Sequence, residues 1–255
     1  MPPLIAFPTP SACPTPLVNT LRTCTAWRGN ANCLACDGRE NSFFVGLSPD
    51  AIASLHVDVA NTGQASGSVL YRRGERAEQM WVLRTGVVKL LAESWDGGPR
   101  IVRILKPGDV AGIEGVLSGT YAHTAVTVGD VHACQTPVRA VRELCLEQAG
   151  FQWNLMQRWQ SALQETEQWL VDMTSTGAAA RVRMARLLLH LRDGDSNRIY
   201  NFSREDLGLM LGTTIETASR IIAAFLRGRL LVRREPGSRF YDGDLVRLEM
   251  VAHGQ

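Results

Sequence analysis

No run of eighteen apolar residues occurs anywhere in the 255-residue chain, so no segment has the length and composition of a membrane-crossing helix. The opening stretch MPPLIAFPTPSACPTP lacks the basic cluster and apolar run of a secretion signal, and a cytoplasmic location is expected. Phosphate-cradling glycine loops, a nucleophile elbow and the HExxH helix of zinc proteases are missing as well, which removes the usual sequence signs of an enzyme. Neither sign of charge dominates, with 27 Lys and Arg against 25 Asp and Glu. Thiols stay reduced in the cytoplasm, so six cysteines read as metal ligands, redox groups or core residues rather than a disulfide framework.

What is present is unevenly distributed. At 45% hydrophobic and 20% charged residues, a chain of this length buries a full core and is expected to divide into two modest domains. Residues 181–255 hold 13 basic and 9 acidic side chains, against 14 and 16 in residues 1–180. The C-terminal end is therefore where an anionic partner would dock. Residues 1–42 are rich in Pro, Thr, Asn and Gly and have no packable stripe, yet TCTAWRGNANCLAC places three cysteines in fourteen positions. From about 68 to 140, apolar runs such as MWVLRTGVVKLL, IVRILKPGDVAG and AVTVGDVHACQTP are punctuated by TG, PGD and GD, a pattern that predicts hairpins of an antiparallel barrel or sandwich.

Beyond Pro137 the period lengthens. Met156, Trp159, Leu163, Thr166, Leu170 and Met173 follow alternating steps of three and four, a heptad seam that asks for a partner helix; a stripe covering the barrel has the same period, and the flanking Gln164, Glu165, Glu167 and Gln168 favour a second copy of the chain. Helix resumes in AAARVRMARLLLHL and stops at RDGDSN. The segment FSREDLGLMLGTTIETASRIIAAFLRGRLLVRREPGSRFY then reads as helix, tight turn, helix and hairpin. Ser203 with Asp206 suits the start of the first helix, Thr213 with Glu216 has capping-box spacing for the second, and Gly212 supplies the turn. This is the pattern of a helix-turn-helix with a wing, whose second helix enters the major groove. Glu216, Ser219 and Arg220 share one face of that helix. Arg bonds guanine O6 and N7 in parallel, Glu accepts from cytosine N4, and Ser serves either base or phosphate. Thr214 and Thr217 complete the expected DNA-facing set.

In LGTTIETASRIIAAF, with the glycine-punctuated barrel, long helix and winged helix-turn-helix in that order, the chain resembles the Crp/Fnr transcription regulators, in the branch typified by the fumarate and nitrate reduction regulator. The resemblance spans about residues 40 to 250. It implies an α+β fold: a cysteine-rich segment over 1–42, an antiparallel β-roll sensor domain of the cyclic-nucleotide-binding type over 43–140, a dimerisation helix over 141–176 and a winged helix-turn-helix over 177–255. It further implies a homodimer that reads TTGAT half-sites of an inverted repeat in double-stranded DNA through Glu216, Ser219 and Arg220, and that meets RNA polymerase.

The sensor follows from different residues. Cyclic-nucleotide members of the family clamp the phosphate with an Arg-Ser pair; Glu114 is retained here, but His123 and Thr124 stand where that pair is expected, and a neutral His cannot make a bidentate clamp. Oxygen-sensing relatives hold a [4Fe-4S] cluster with three N-terminal cysteines and one in the barrel. The resemblance assigns those roles to Cys24, Cys33, Cys36 and Cys134. The spacing departs from the relatives' order, since the close CxxC pair comes last, and Cys13 is an alternative to Cys24. A zinc knuckle or thiol switch also fits CxxC. Haem ligation by His56, His123, His132 or His190 is the remaining alternative, and Cys145 in VRELCLEQA reads as a core residue.

Overall fold

The computed structural model describes residues 59–95, 97–174 and 178–255. Cys13, Cys24, Cys33, Cys36 and His56, with the whole of the expected 1–42 segment, lie outside the described residues.

Six strands form the first sheet: β1 (Ala60–Gln64), β2 (Val69–Tyr71), β3 (Gln79–Glu93), β4 (Pro99–Leu105), β5 (Val110–Ala111) and β6 (Thr124–Pro137). They lie in the order β1-β6-β3-β4, with β2 also paired to β6 and β5 to β3. The pairings of β1 and β2 with β6 and of β5 with β3 are antiparallel. The expected short hairpins are fewer and longer than the punctuation suggested. PGD does reverse the chain, with Asp109 N–H donating to Lys106 O at 3.0 Å and Lys106 N–H to Asp109 Oδ2 at 2.7 Å. TG and GD do not, because Gly86 sits inside β3 and Gly129 inside β6. The reason is steric: a Cβ on Gly86 would lie 2.4 Å from the carbonyl oxygen of Asp130, and its φ is +81°. Glycine there permits a close crossing of two strands and marks no turn.

Helices α1 (Gly115–Ser118), α2 (Val138–Glu147) and α3 (Ala149–Thr174) follow. The single helix expected over 141–176 is thus two helices, starting at Val138 and interrupted at Gln148, whose φ of −127° and ψ of 96° are extended. The break turns Val141, Leu144, Phe151 and Leu155 into one buried cluster with Met80, Val82, Val110 and Val138, against which Cys134, Cys145 and Trp159 pack half-buried. Apolar burial of this kind, roughly 25 cal/mol per Å², is the main stabilising term.

The C-terminal elements are α4 (Ala180–His190), β7 (Arg198–Tyr200), α5 (Arg204–Leu211), α6 (Ile215–Arg227), β8 (Leu231–Val232), β9 (Phe240–Gly243) and α7 (Leu245–Ala252). The three short strands form a sheet in the order β7-β9-β8. Met184, Leu187, Leu188, Ile199, Phe202, Ile222, Phe225, Tyr241 and Leu248 are buried here. Helix α7 was not anticipated; its signal was Asp244, whose carboxylate accepts from Arg247 N–H as an N-cap. The chain divides into two compact units, one comprising the described residues up to Leu90 together with Ile104–Gln160, the other Leu91–Arg103 with Ser161–Gln255.

Candidate nucleic-acid interface and sensor residues

Helix α5 starts where Ser203 Oγ accepts from the Asp206 amide at 3.0 Å, as its sequence suggested. It ends where Gly212 turns left-handed, with φ 61° and ψ 44°. Gly208 lets the turn fold back closely, since a Cβ there would lie 2.9 Å from Thr213 O. The axes of α5 and α6 meet at 109°, within the range of DNA-binding helix pairs.

The cap of α6 differs from the capping box expected at Thr213. Thr214 holds the N-cap position instead, its Oγ1 accepting from Thr217 N–H at 3.2 Å. Gly212 takes the left-handed turn conformation and Thr213 donates its amide to Gly208 O, so the first residue free to cap is the next one. Ala218, Ile222 and Phe225 point inward, which leaves Glu216, Ser219 and Arg220 together on the exposed face. Glu216 is held below the ordinary carboxylate pKa by its own backbone N–H and then by the Thr214 hydroxyl, so it is an ionised acceptor at neutral pH. Arg220 Nη2 lies 3.4 Å from Thr217 Oγ1, and Thr214 Oγ1 lies 3.2 Å from the same oxygen. The pair of threonines thereby links the helix cap to the guanidinium.

The wing between β8 and β9 carries Arg233, Arg234 and Arg239. Tyr241, buried on β9, accepts from Arg204 at 2.8 Å and from Arg233 at 3.2 Å, joining the start of α5 to the wing. Arg234 pairs with Asp242. These side chains went unnoticed in the sequence, where only the Pro-Gly corner pointed to the wing. Arg233 and Arg234 thus brace the wing itself; an arginine left to a phosphate oxygen would position the protein on DNA without reading sequence.

Two family models match the chain: "Cyclic nucleotide-binding domain" over residues 65–148 and "Crp-like helix-turn-helix domain" over residues 182–249. The chain belongs to the Crp/Fnr family. Among relatives of this family, a CRP-like cAMP-activated global transcriptional regulator of Mycobacterium tuberculosis is 24% identical over 188 residues, covering 71% of this chain and 84% of that protein. The transcriptional activator protein Anr of Pseudomonas protegens is 23% identical over 195 residues, covering 74% and 78%. The structure of FixK2 from Bradyrhizobium japonicum superposes with a TM-score of 0.66 at 22% identity, over 76% of this chain and 96% of that one. The protein is accordingly a Crp/Fnr-type DNA-binding transcription regulator of α+β fold and not an enzyme.

Of the residues expected to sense a signal in this Crp/Fnr protein, only part is described. Cys134 stands on β6 opposite Asn61 of β1, half-buried, with its Sγ donating to Asn61 Oδ1 at 3.4 Å. A half-exposed thiol can be reached by a soft metal, which binds it as the thiolate and so without the proton that Cys134 donates to Asn61. Cys145 is half-buried on α2, and desolvation pushes its thiol pKa up, which fits the core role expected of it. Among the described residues no group of three or more His, Cys, Asp or Glu converges on a metal site. In the turn that holds the phosphate in cyclic-nucleotide proteins, Glu114 Oε1 accepts from Ala122 N–H at 3.3 Å and Thr124 Oγ1 from Arg73 N–H at 3.1 Å. His190, one of the histidines weighed for haem, is engaged by Asp172 at 2.7 Å and by the Trp169 ring at 6.0 Å.

The expected seam of α3 is divided. Met156, Leu163 and Leu170 are 58–60% exposed, spaced seven apart, and Thr166 is exposed with its hydroxyl donating back to Ala162 O at 2.7 Å. Trp159 instead packs on the barrel core, and Met173 is only 5% exposed. Trp153 and Val171 are exposed beside the first group.

Proposed function

We propose that this regulator binds TTGAT-like inverted repeats as a homodimer, in a manner set by oxygen or redox state through a [4Fe-4S] cluster on Cys24, Cys33, Cys36 and Cys134. The DNA half of the reading is carried by one observation: Glu216, Ser219 and Arg220 stand together, exposed and ionised where needed, on the first turns of a capped helix behind a left-handed glycine turn. An Arg there supplies the two parallel donors that guanine requires, and the neighbouring carboxylate supplies the acceptor for cytosine N4. Two-fold DNA then matches two copies joined through the apolar positions of α3 that the single chain leaves exposed.

The sensor half rests on the thiols. Cys134 is the barrel cysteine whose placement suits a ligand, and the N-terminal set supplies three more sulfurs in a segment whose composition cannot build its own apolar core. Held by Cys24, Cys33, Cys36 and Cys134, such a cluster would supply oxygen-labile iron–sulfur bonds. His123, in place of an Arg, weakens the case for a cyclic nucleotide.

Protein prepared without air, assayed for iron and acid-labile sulfide and titrated into fluorescent TTGAT duplexes, tests both halves. The proposal expects about four irons and four sulfides per chain, binding that falls on exposure to air, and loss of iron in Cys134→Ala. Iron-free protein that binds the duplex undiminished overturns the sensor half, and anaerobic protein that does not prefer the repeat over unrelated DNA overturns the other.

A further inference from the structure

Arg183, in the first turn of α4, makes two hydrogen bonds from one nitrogen. Its Nη1 donates to Met173 O and to Leu211 O, each at 3.1 Å. Met173 is the penultimate residue of α3, and Leu211 is the last residue of α5. Both carbonyls belong to the final turns of helices, where backbone oxygens have no intrahelical donor and the helix dipole is negative. One guanidinium thus satisfies two helix ends at once and holds them within two hydrogen-bond lengths of each other. Its Nε is buried and finds no partner among the described residues. The orientation of the group is therefore set by the two carbonyls and not by saturation of its donors.

The joint has supporting contacts. Asp172, from the same last turn of α3, bonds His190 at the far end of α4 and accepts from Gln168 at 2.9 Å. Arg186 Nε donates to Ala252 O of α7 at 3.0 Å. On the other side, Leu211 immediately precedes the Gly212 turn, after which α6 begins.

We propose that Arg183 is a positioning residue: by tying the end of α3 to the end of α5, it fixes the angle at which α6 is presented relative to the helix that pairs in the dimer, and so sets the spacing between half-sites that the dimer accepts. The proposal rests on the dimeric, repeat-reading function proposed above. One base pair of added spacer moves a half-site by about 3.4 Å and rotates it by about 35°. A joint held by two carbonyl bonds resists that displacement, and a joint without them tolerates it. Lysine keeps the charge but not the geometry, since the two N–H bonds of Nη1 are fixed in the guanidinium plane and an ammonium rotates on a flexible stem.

The test uses the full-length dimer under the conditions in which it binds best. Four duplexes are titrated: the inverted repeat at its preferred spacer, the same repeat with the spacer lengthened and shortened by one base pair, and a single half-site. The variants are Arg183→Met and Arg183→Lys, with thermal midpoints measured alongside. Arg183→Met is expected to bind the preferred repeat about tenfold more weakly, to lose most of the parent's penalty for a shifted spacer, and to bind the single half-site as the parent does. Arg183→Lys is expected to fall between the two, and it carries the same comparison if the methionine variant does not melt cooperatively. A spacer penalty unchanged from the parent overturns the proposal, as does an equal loss on the repeat and the single half-site, which marks a support role within the DNA-binding domain alone. If the parent itself binds a half-site as tightly as the repeat, the dimeric reading has failed and this proposal with it.

Discussion

At the scale of single residues, the DNA-facing helix separates reading from holding. Arg220 and Glu216 have no other heavy task in the fold: both are exposed, and their partners lie within the helix start. Replacing Arg220 with Ala should therefore leave the thermal midpoint near that of the parent. It should remove about 1–3 kcal/mol of discrimination at the guanine of the half-site, read as a roughly ten- to hundredfold rise in Kd for TTGAT and little change on the base-substituted duplex. Thr214 behaves in the opposite way. Its side chain caps α6, so Thr214→Ala should cost about 1 kcal/mol of stability, seen as a lower melting midpoint, while Thr214→Ser should restore most of it. Every cation in residues 181–255 is arginine, and several have structural carbonyl or tyrosine partners. This is why the charge excess read from the sequence overstates the number of side chains available to phosphate.

At the scale of elements, legibility followed from how local the cause was. The start of α5 at Ser203, the turn at Gly212 and the outward face of α6 were readable because each depends on neighbours within four residues. The capping residue was misplaced by one position, since Thr213 and Thr214 are alike in sequence and only the length of the turn distinguishes them. Glycines misled for a related reason. Gly86 and Gly212 both have positive φ, but the first is demanded by a strand crossing 44 positions away in sequence, with Asp130, and the second by a helix end. A substitution test distinguishes them. Gly86→Ala drives a Cβ against backbone, at 2.4 Å from Asp130 O and 3.0 Å from Val131 Cα, and should prevent stable folding of the barrel. The three atoms nearest a Cβ on Gly212 all belong to the guanidinium of Arg100, the far end of a long side chain that can give way, so Gly212→Ala should cost roughly 1–2 kcal/mol for the left-handed conformation. Circular dichroism melts of the two variants should show the first loss to be much the larger.

The joint between α3 and α4 adds a pH prediction at the same scale. Burial alone pushes the Asp172 carboxyl upward, but hydrogen bonds from Gln168 and His190, with the charges of His190 and Arg186, outweigh it and leave the pKa lowered. A carboxyl depressed in the folded state contributes stability above its unfolded pKa, near about 3.9, and that contribution is lost as pH falls through the folded value. Asp172→Asn should melt below the parent at pH 6, and the gap should close as the pH is lowered below the usual carboxylate range. A gap that is constant from pH 6 to pH 3 counts against the carboxylate as its source.

At the scale of the whole molecule, the proposed pairing of two copies uses apolar positions that one chain leaves uncovered. The heptad reading of α3 named six seam residues, and periodicity has no means of knowing that Trp159 and Met173 are claimed by the chain's own packing. Those two are bound to cores at either end, while Met156, Leu163 and Leu170 are left exposed. The cysteines proposed as ligands were legible only as residue types, in an order that departs from that of the relatives, because cluster geometry is set by chain segments distant from one another and not by local pattern. A seam of three apolar side chains seven residues apart is narrow, and polar Thr166 lies within it, so association is expected to be weak enough for a signal to bias it; each 1.4 kcal/mol shifts the dimer constant about tenfold. In the proposed pairing, where Leu163 faces its own copy near the two-fold axis, Leu163→Glu sets like charges against each other and joins Glu165 and Glu167 in an already acidic stretch. It should yield monomers in sedimentation at micromolar concentration and abolish binding to the inverted repeat, while the exposed position leaves the melting of the folded units little changed. Thr166→Leu works in the other direction: it extends the apolar stripe by one position, and should raise the fraction of dimer and the binding of the repeat in air. If Thr166→Leu sediments as the parent does, the seam runs along another face of α3, and Trp153 and Val171 are the exposed residues through which to search for it.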